Sequence, residues 1–168
     1  MRRALPLALL AVALLVAACG EFGDHNIYGN PIRNGICTSN VQWHADASPE
    51  MDPGMDCVGC HAGNEGPNYA IAGTVFLGFH DEDDCYGQPG VTVTLVDSAG
   101  RAFTKVTNAT GNFAFRPSEV SGLTWPIAAS VSFNGNSRAM VTHQSVGACN
   151  TCHTPDGLNG APGRIVVP

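Results

Sequence analysis

The tightest constraint on this chain is a five-residue pattern that occurs twice. Cys57-Val58-Gly59-Cys60-His61 and Cys149-Asn150-Thr151-Cys152-His153 each carry two cysteines three apart with a histidine directly after, about ninety residues from one another. Residues three apart lie on one side of a helical turn. Each pair therefore presents two sulfurs in one direction, with an imidazole beside them. Asp52-Pro53 ahead of the first pattern and Ser145 ahead of the second are the helix-start signals nearest to them.

The other cysteines are read from the compartment. The chain begins with Arg2 and Arg3, followed by an apolar run from Ala4 to Ala18. The run is short for a membrane span and has the build of a secretory signal. Val16-Ala17-Ala18-Cys19 resembles the signal of bacterial lipoproteins, which implies cleavage before Cys19, lipid on that cysteine and attachment to a membrane through the lipid. Gly20 resembles the outer-membrane sorting pattern, so the expected place is the outer membrane, on its periplasmic face or at the cell surface. Cleavage leaves six of the eight basic residues against 14 acidic ones, a net charge near −8. No basic patch is left for nucleic acid. Exported thiols are usually paired, modified or bound. With Cys19 acylated and four cysteines in the patterns, Cys37 and Cys85 remain of the seven, and they are expected to form a disulfide.

Between the two patterns the chain reads as β-structure. Strands are expected at 71–79, 91–96, 102–107, 112–117, 127–133 and 137–143. Val91, Val93 and Leu95 alternate with Thr92 and Thr94, the period of a half-buried strand. Asn134-Gly135 between two such runs is a hairpin signal. Six or seven short strands with turns between them predict a mainly β, antiparallel sandwich. GTVFLG, PGVTVTLVDSAG and TNATGNFAF resemble the carboxypeptidase-regulatory-like family of β-sandwich modules, with an Ig-like fold expected over roughly residues 70–133. Such a fold is silent on function. The organisation expected is a signal at 1–18, a Gly/Asn-rich tether at 19–36, a loop-rich segment with one short helix at 37–69, the sandwich at 70–143 and a second loop-rich segment at 144–168.

The repeated pattern decides the chemistry expected. Cys-x-x-Cys-His is the attachment signature of c-type haem: both sulfurs reach the vinyl groups along one edge of the porphyrin and the imidazole reaches iron. A four-cysteine zinc site, thioredoxin-like redox pairs and plain disulfides compete. None of them requires the histidines. Six histidines in 168 residues make both positions histidine by accident on the order of once in 800. Here the chain resembles small di-haem c-type cytochrome lipoproteins, a resemblance carried by the ten motif residues. It implies two c-type haems, attached through Cys57, Cys60, Cys149 and Cys152, with His61 and His153 on iron. The candidate distal ligands are Met51 for the first and Met140 for the second, with His44 and His143 as alternatives. His25 and His80 read as tether and loop residues. The run at 81–84 reads as a solvated acidic loop rather than a calcium site, and Arg164 as a partner for a haem propionate or a plain surface residue. The function expected is electron relay to a redox partner protein or multihaem cytochrome, not an enzyme. A haem-bearing sensor or binding module, a peroxidase with one open haem, and a subunit of a larger homo- or hetero-oligomeric cytochrome assembly are the competing readings.

Overall fold

The computed structural model describes residues 47–62, 66–81 and 85–168. Cys19, His25, Cys37 and His44 lie outside the described residues, as do the signal, the tether and residues 82–84 of the acidic run. Cys85 is disulfide-bonded and fully buried; the partner expected for it, Cys37, is not among the described residues.

The described chain is mainly β. Its strands are β1 (Ile71–Phe76), β2 (Thr92–Val96), β3 (Ala102–Val106), β4 (Asn112–Phe115), β5 (Ala128–Phe133), β6 (Asn136–Ala139) and β7 (Ile165–Val166). They form a three-stranded sheet in the order β4-β1-β7 and a four-stranded sheet in the order β3-β2-β5-β6. Every pairing is antiparallel except that of β1 with β7. The expected strands exist, most of them shorter at the ends. The sequence does not signal β7, because two paired residues after a Gly/Pro-rich run are too few to show any alternation.

The two sheets share one core. Val93 and Leu95 of β2 and Val131 of β5 meet Ile71 and Val75 of β1 and Phe113 and Phe115 of β4. The phenylalanine rings pack edge to face, 6.4 Å apart. The hairpin signal is realised as a two-residue turn: Phe133 pairs with Asn136, while Asn134 and Gly135 take φ of 51° and 80°. Positive φ at both central residues is what a type I′ turn demands, and Asn-Gly tolerates it best.

β1 departs from the half-buried norm, since all six of its residues are buried. Ile71, Gly73 and Val75 face the other sheet. Ala72, Thr74 and Phe76 face outward, yet they are as hidden as the inner set. Something covers the outer face, and the segments that do so are the two cysteine motifs.

At the far end of the sandwich, the Asp97 turn joins β2 to β3. The buried Asp97 carboxylate accepts hydrogen bonds from the backbone N–H of Ala99, Arg101 and Thr124 and from the Arg101 guanidinium at 2.7 and 2.9 Å. Burial alone would raise its pKa, but these backbone and guanidinium hydrogen bonds together hold it well below the usual carboxylate range. A depressed native pKa gives stability that is complete above about pH 4 and lost as the pH falls toward the native value. Asp97→Asn is expected to lower the thermal midpoint at neutral pH and to flatten its fall in acid, as read by circular dichroism melts from pH 7 to pH 2. An acid limb as steep as the parent's would put the titrating group elsewhere.

Candidate functional site

The first motif forms α1 (Cys57–His61), a single helical turn. Its N-cap is Asp56, whose carboxylate accepts from the Gly59 N–H at 3.0 Å. That corrects the reading of Asp52-Pro53 as the cap: Asp52 takes φ of 44° in the preceding turn, and the helix begins four residues after Pro53. The second motif forms a 3-10 turn at Cys149–Thr151 that follows Ala148 without any side-chain cap, so Ser145 does not cap it either. Both turns still set their two cysteines three apart on one side.

β1 is the common support. On one edge it pairs with β4. On the other it takes two parallel contacts from the C-terminal region, Ala148 beside Ala72 and Ile165 beside Val75. The second motif is thus a loop, residues 149–164, that leaves β1 and returns to it one turn of pleat further on. Gly73 permits this approach. A Cβ on Gly73 would stand 2.9 Å from both the Cys149 Cβ and the tip of the Phe113 ring.

A buried polar knot joins this loop to the first motif. The Thr74 hydroxyl donates to Asn112 Oδ1 at 2.7 Å and accepts from the Gly54 N–H at 2.8 Å. Asn150, the second residue of the second motif, accepts from the Thr74 N–H at 3.1 Å. Its Nδ2 donates to the Met55 carbonyl at 2.8 Å, two residues before Cys57, and to the Thr74 hydroxyl at 3.2 Å. Asn112 Nδ2 donates to the Met51 carbonyl at 2.8 Å. Two motifs far apart in sequence therefore lie side by side on the outer face and edge of one strand. The sandwich does not hold them apart.

All four motif cysteines are half-buried. Burial pushes the Cys57 thiol up to about 11 and the Cys149 thiol up to about 12. A thioredoxin-like nucleophile needs the opposite shift. Among the described residues no three His, Cys, Asp or Glu side chains gather as a metal-binding group.

The histidines differ. His153 Nδ1 lies 2.9 Å from the Gly163 carbonyl. A carbonyl can only accept, so Nδ1 carries the proton and Nε2 keeps its lone pair, the usual orientation of a metal-ligating histidine. Burial pushes the His153 pKa down, the Gly163 carbonyl working against it, which favours the neutral imidazole. His61 packs against Tyr69 with ring centroids 4.8 Å apart, and its Nδ1 is buried with no hydrogen-bond partner among the described residues.

Beside the second motif the sandwich forms a half-open cavity of about 500 Å³. Cys149, Cys152 and His153 line it, together with Val93, Leu95 and Ile127 of the core. Met140 lines it too, as do Arg138 and Arg164. Arg164 is 1% exposed, stacks over the Phe76 ring at 4.0 Å and donates through Nε to the Asp81 carbonyl. It is a built part of the cavity and not a plain surface arginine. Of the second pair of distal candidates, Met140 faces this cavity and His143 is exposed outside it. His80 is exposed and bonds the Pro155 carbonyl at 2.6 Å, a loop residue as expected. Met51 is half-buried and anchored through its carbonyl to Asn112.

Sequence reasoning missed Thr74, Asn112, Asn150 and Gly163. The only sign of the first was a threonine inside the otherwise apolar run IAGTVF. Asn150 occupies a position where the motif accepts any residue.

Compared with protein-family models, curated proteins and solved structures, the chain finds no match. No helix among the described residues is long and apolar enough to cross a membrane.

Thr74→Val leaves Asn112 Oδ1 and the Gly54 N–H without their partner in a buried setting. The expected cost is about 1–3 kcal/mol for each group left unsatisfied, read by urea denaturation. Gly73→Ala is expected to cost a further 1–3 kcal/mol or so by overpacking against Cys149 and Phe113. A neutral Thr74→Val would mean that water replaces the hydroxyl and the knot is open.

Proposed function

We propose that the chain is an exported di-haem c-type cytochrome lipoprotein that relays single electrons at the outer membrane or cell surface, an electron carrier and not an enzyme. The observation that carries this is the second motif's setting. A neutral histidine with Nδ1 committed to the Gly163 carbonyl stands on the wall of an apolar cavity, beside the two thiols of the same motif. The cleft's size falls within the range of small-molecule and cofactor sites. A haem brings four ring nitrogens of its own, so the protein need supply only one or two ligands.

When bound, the haem iron would supply reversible one-electron exchange. The protein's own residues do the rest. Cys149 and Cys152 hold the porphyrin edge through thioethers. His153 would ligate the iron, its ring oriented by the Gly163 carbonyl. Val93, Leu95 and Ile127 exclude water from the face of the ring. Arg138 and Arg164 place positive charge in the cavity for the propionates. Met140 is the distal ligand favoured over His143, because its side chain faces the cavity.

At the first motif, Cys57, Cys60 and His61 play the same parts. The orphaned Nδ1 of His61 is a buried donor or acceptor awaiting a partner, and Met51 remains the distal candidate there. The carboxypeptidase-regulatory-like, Ig-like reading of the sandwich is supported by the two stacked sheets and by the Asp97 turn. A partner of redox type, a multihaem cytochrome among them, follows from the same reading.

A pyridine haemochrome assay on protein exported by a host with haem c maturation is expected to give two covalent haems per chain. Cys149→Ala with Cys152→Ala is expected to leave one. Met140→Ala is expected to abolish a sulfur-to-iron charge-transfer band and to lower one potential. Protein that is fully matured and folded yet carries no covalent haem would overturn the proposal.

A further inference from the structure

The two motifs are not independent sites. Asn150 sits inside the second motif between Cys149 and Cys152, is 2% exposed, and donates to the Met55 carbonyl of the turn that leads into the first motif. Its carbonyl oxygen takes the Thr74 N–H of β1 at the same time. One side chain thus ties both cofactor-bearing segments to one rung of one strand. The surrounding bonds, Thr74 to Asn112 and to Gly54, leave the knot little freedom to slide. Motif residues pinned this way carry their cofactors as near neighbours, whatever the ninety residues of sequence between them.

We infer that the chain holds its two haems as one interacting pair, with Asn150 as the positioning residue that fixes one relative to the other. The inference rests on the di-haem reading above. It adds to it that the pair behaves as a single electronic unit and that a residue outside the attachment signature sets this. Cys149 and the Phe113 ring packed at Gly73 hold the second segment from the core side. Asn150 Nδ2 reaches the Met55 carbonyl of the first motif's lead-in turn at 2.8 Å.

The test uses the mature holoprotein. Haem content is counted first by pyridine haemochrome, and electron paramagnetic resonance spectra of the fully oxidised, frozen protein are then compared with that count. The expected result is two haems whose signals are broadened by each other, with a loss of sharp isolated-spin intensity. Removing the first site by Cys57→Ala with Cys60→Ala is expected to sharpen the signal of the second. Asn150→Asp keeps an acceptor for the Thr74 N–H but removes the donor to Met55. It is expected to keep two haems and to recover part of the sharp intensity. Asn150→Gln, which retains both groups on a longer arm, serves if the aspartate variant fails to fold, and is expected to change the broadening in the same direction. Two haems with two sharp, additive spectra, unchanged when the other site is removed, would overturn the inference and leave the di-haem reading standing. Fewer than two haems in the parent would overturn both. A coupled pair indifferent to either Asn150 variant would remove Asn150 from the positioning role.

Discussion

The Thr74 hydroxyl is the point on which the outer half of this structure hangs. A hydroxyl buried in an apolar strand is costly unless its donor and acceptor capacity are both used. Here it donates to Asn112 and accepts from the Gly54 N–H and Asn150 Nδ2. Each partner belongs to a different part of the chain: β4, the lead-in to the first motif, and the second motif. Remove the hydroxyl and three segments lose their common reference. An apolar side chain there would pack equally well but could not specify which segment lies where. Buried polar groups that are fully satisfied rigidify a structure and select one arrangement of it.

The half of the fold that faces inward was legible because it obeys alternation. Val91, Val93 and Leu95 announce β2, Phe113 and Phe115 announce β4, and Asn134-Gly135 announces the hairpin. What could not be read is how the loops close. β7 is too short to carry a period. β1 looks like any apolar strand, and nothing in IAGTVF says that both of its faces are covered. The helix-start signals misled at both motifs: Asp52-Pro53 is a plausible cap by composition, yet Asp56 is the residue whose carboxylate meets an N–H. Capping is decided by where the backbone turns, and in such short turns the tertiary contacts decide that.

The candidate site divides in the same way. Its chemistry, two thiols and an imidazole, is written in contiguous residues and can be read at once. Its surroundings are assembled from residues far apart in sequence: Val93 from β2, Ile127 from beside β5, Met140 after β6, and Arg164 just before β7. Arg164 shows why. In sequence it is a lone arginine in a polar tail. In the fold it is buried, stacked on Phe76 and bonded to the Asp81 carbonyl.

The loop at residues 149–164 begins and ends on positions of β1 three residues apart, Ala72 and Val75. Its two feet are therefore fixed by the strand rather than by what lies between them. The entropy of closing such a loop grows only with the logarithm of its length. Residues could be gained or lost around Leu158 to Gly160, in the exposed crown, while the feet stay planted and the seven strands keep their register. A β-module built this way is a socket: the frame can be inherited unchanged while the crown is rewritten for a different occupant.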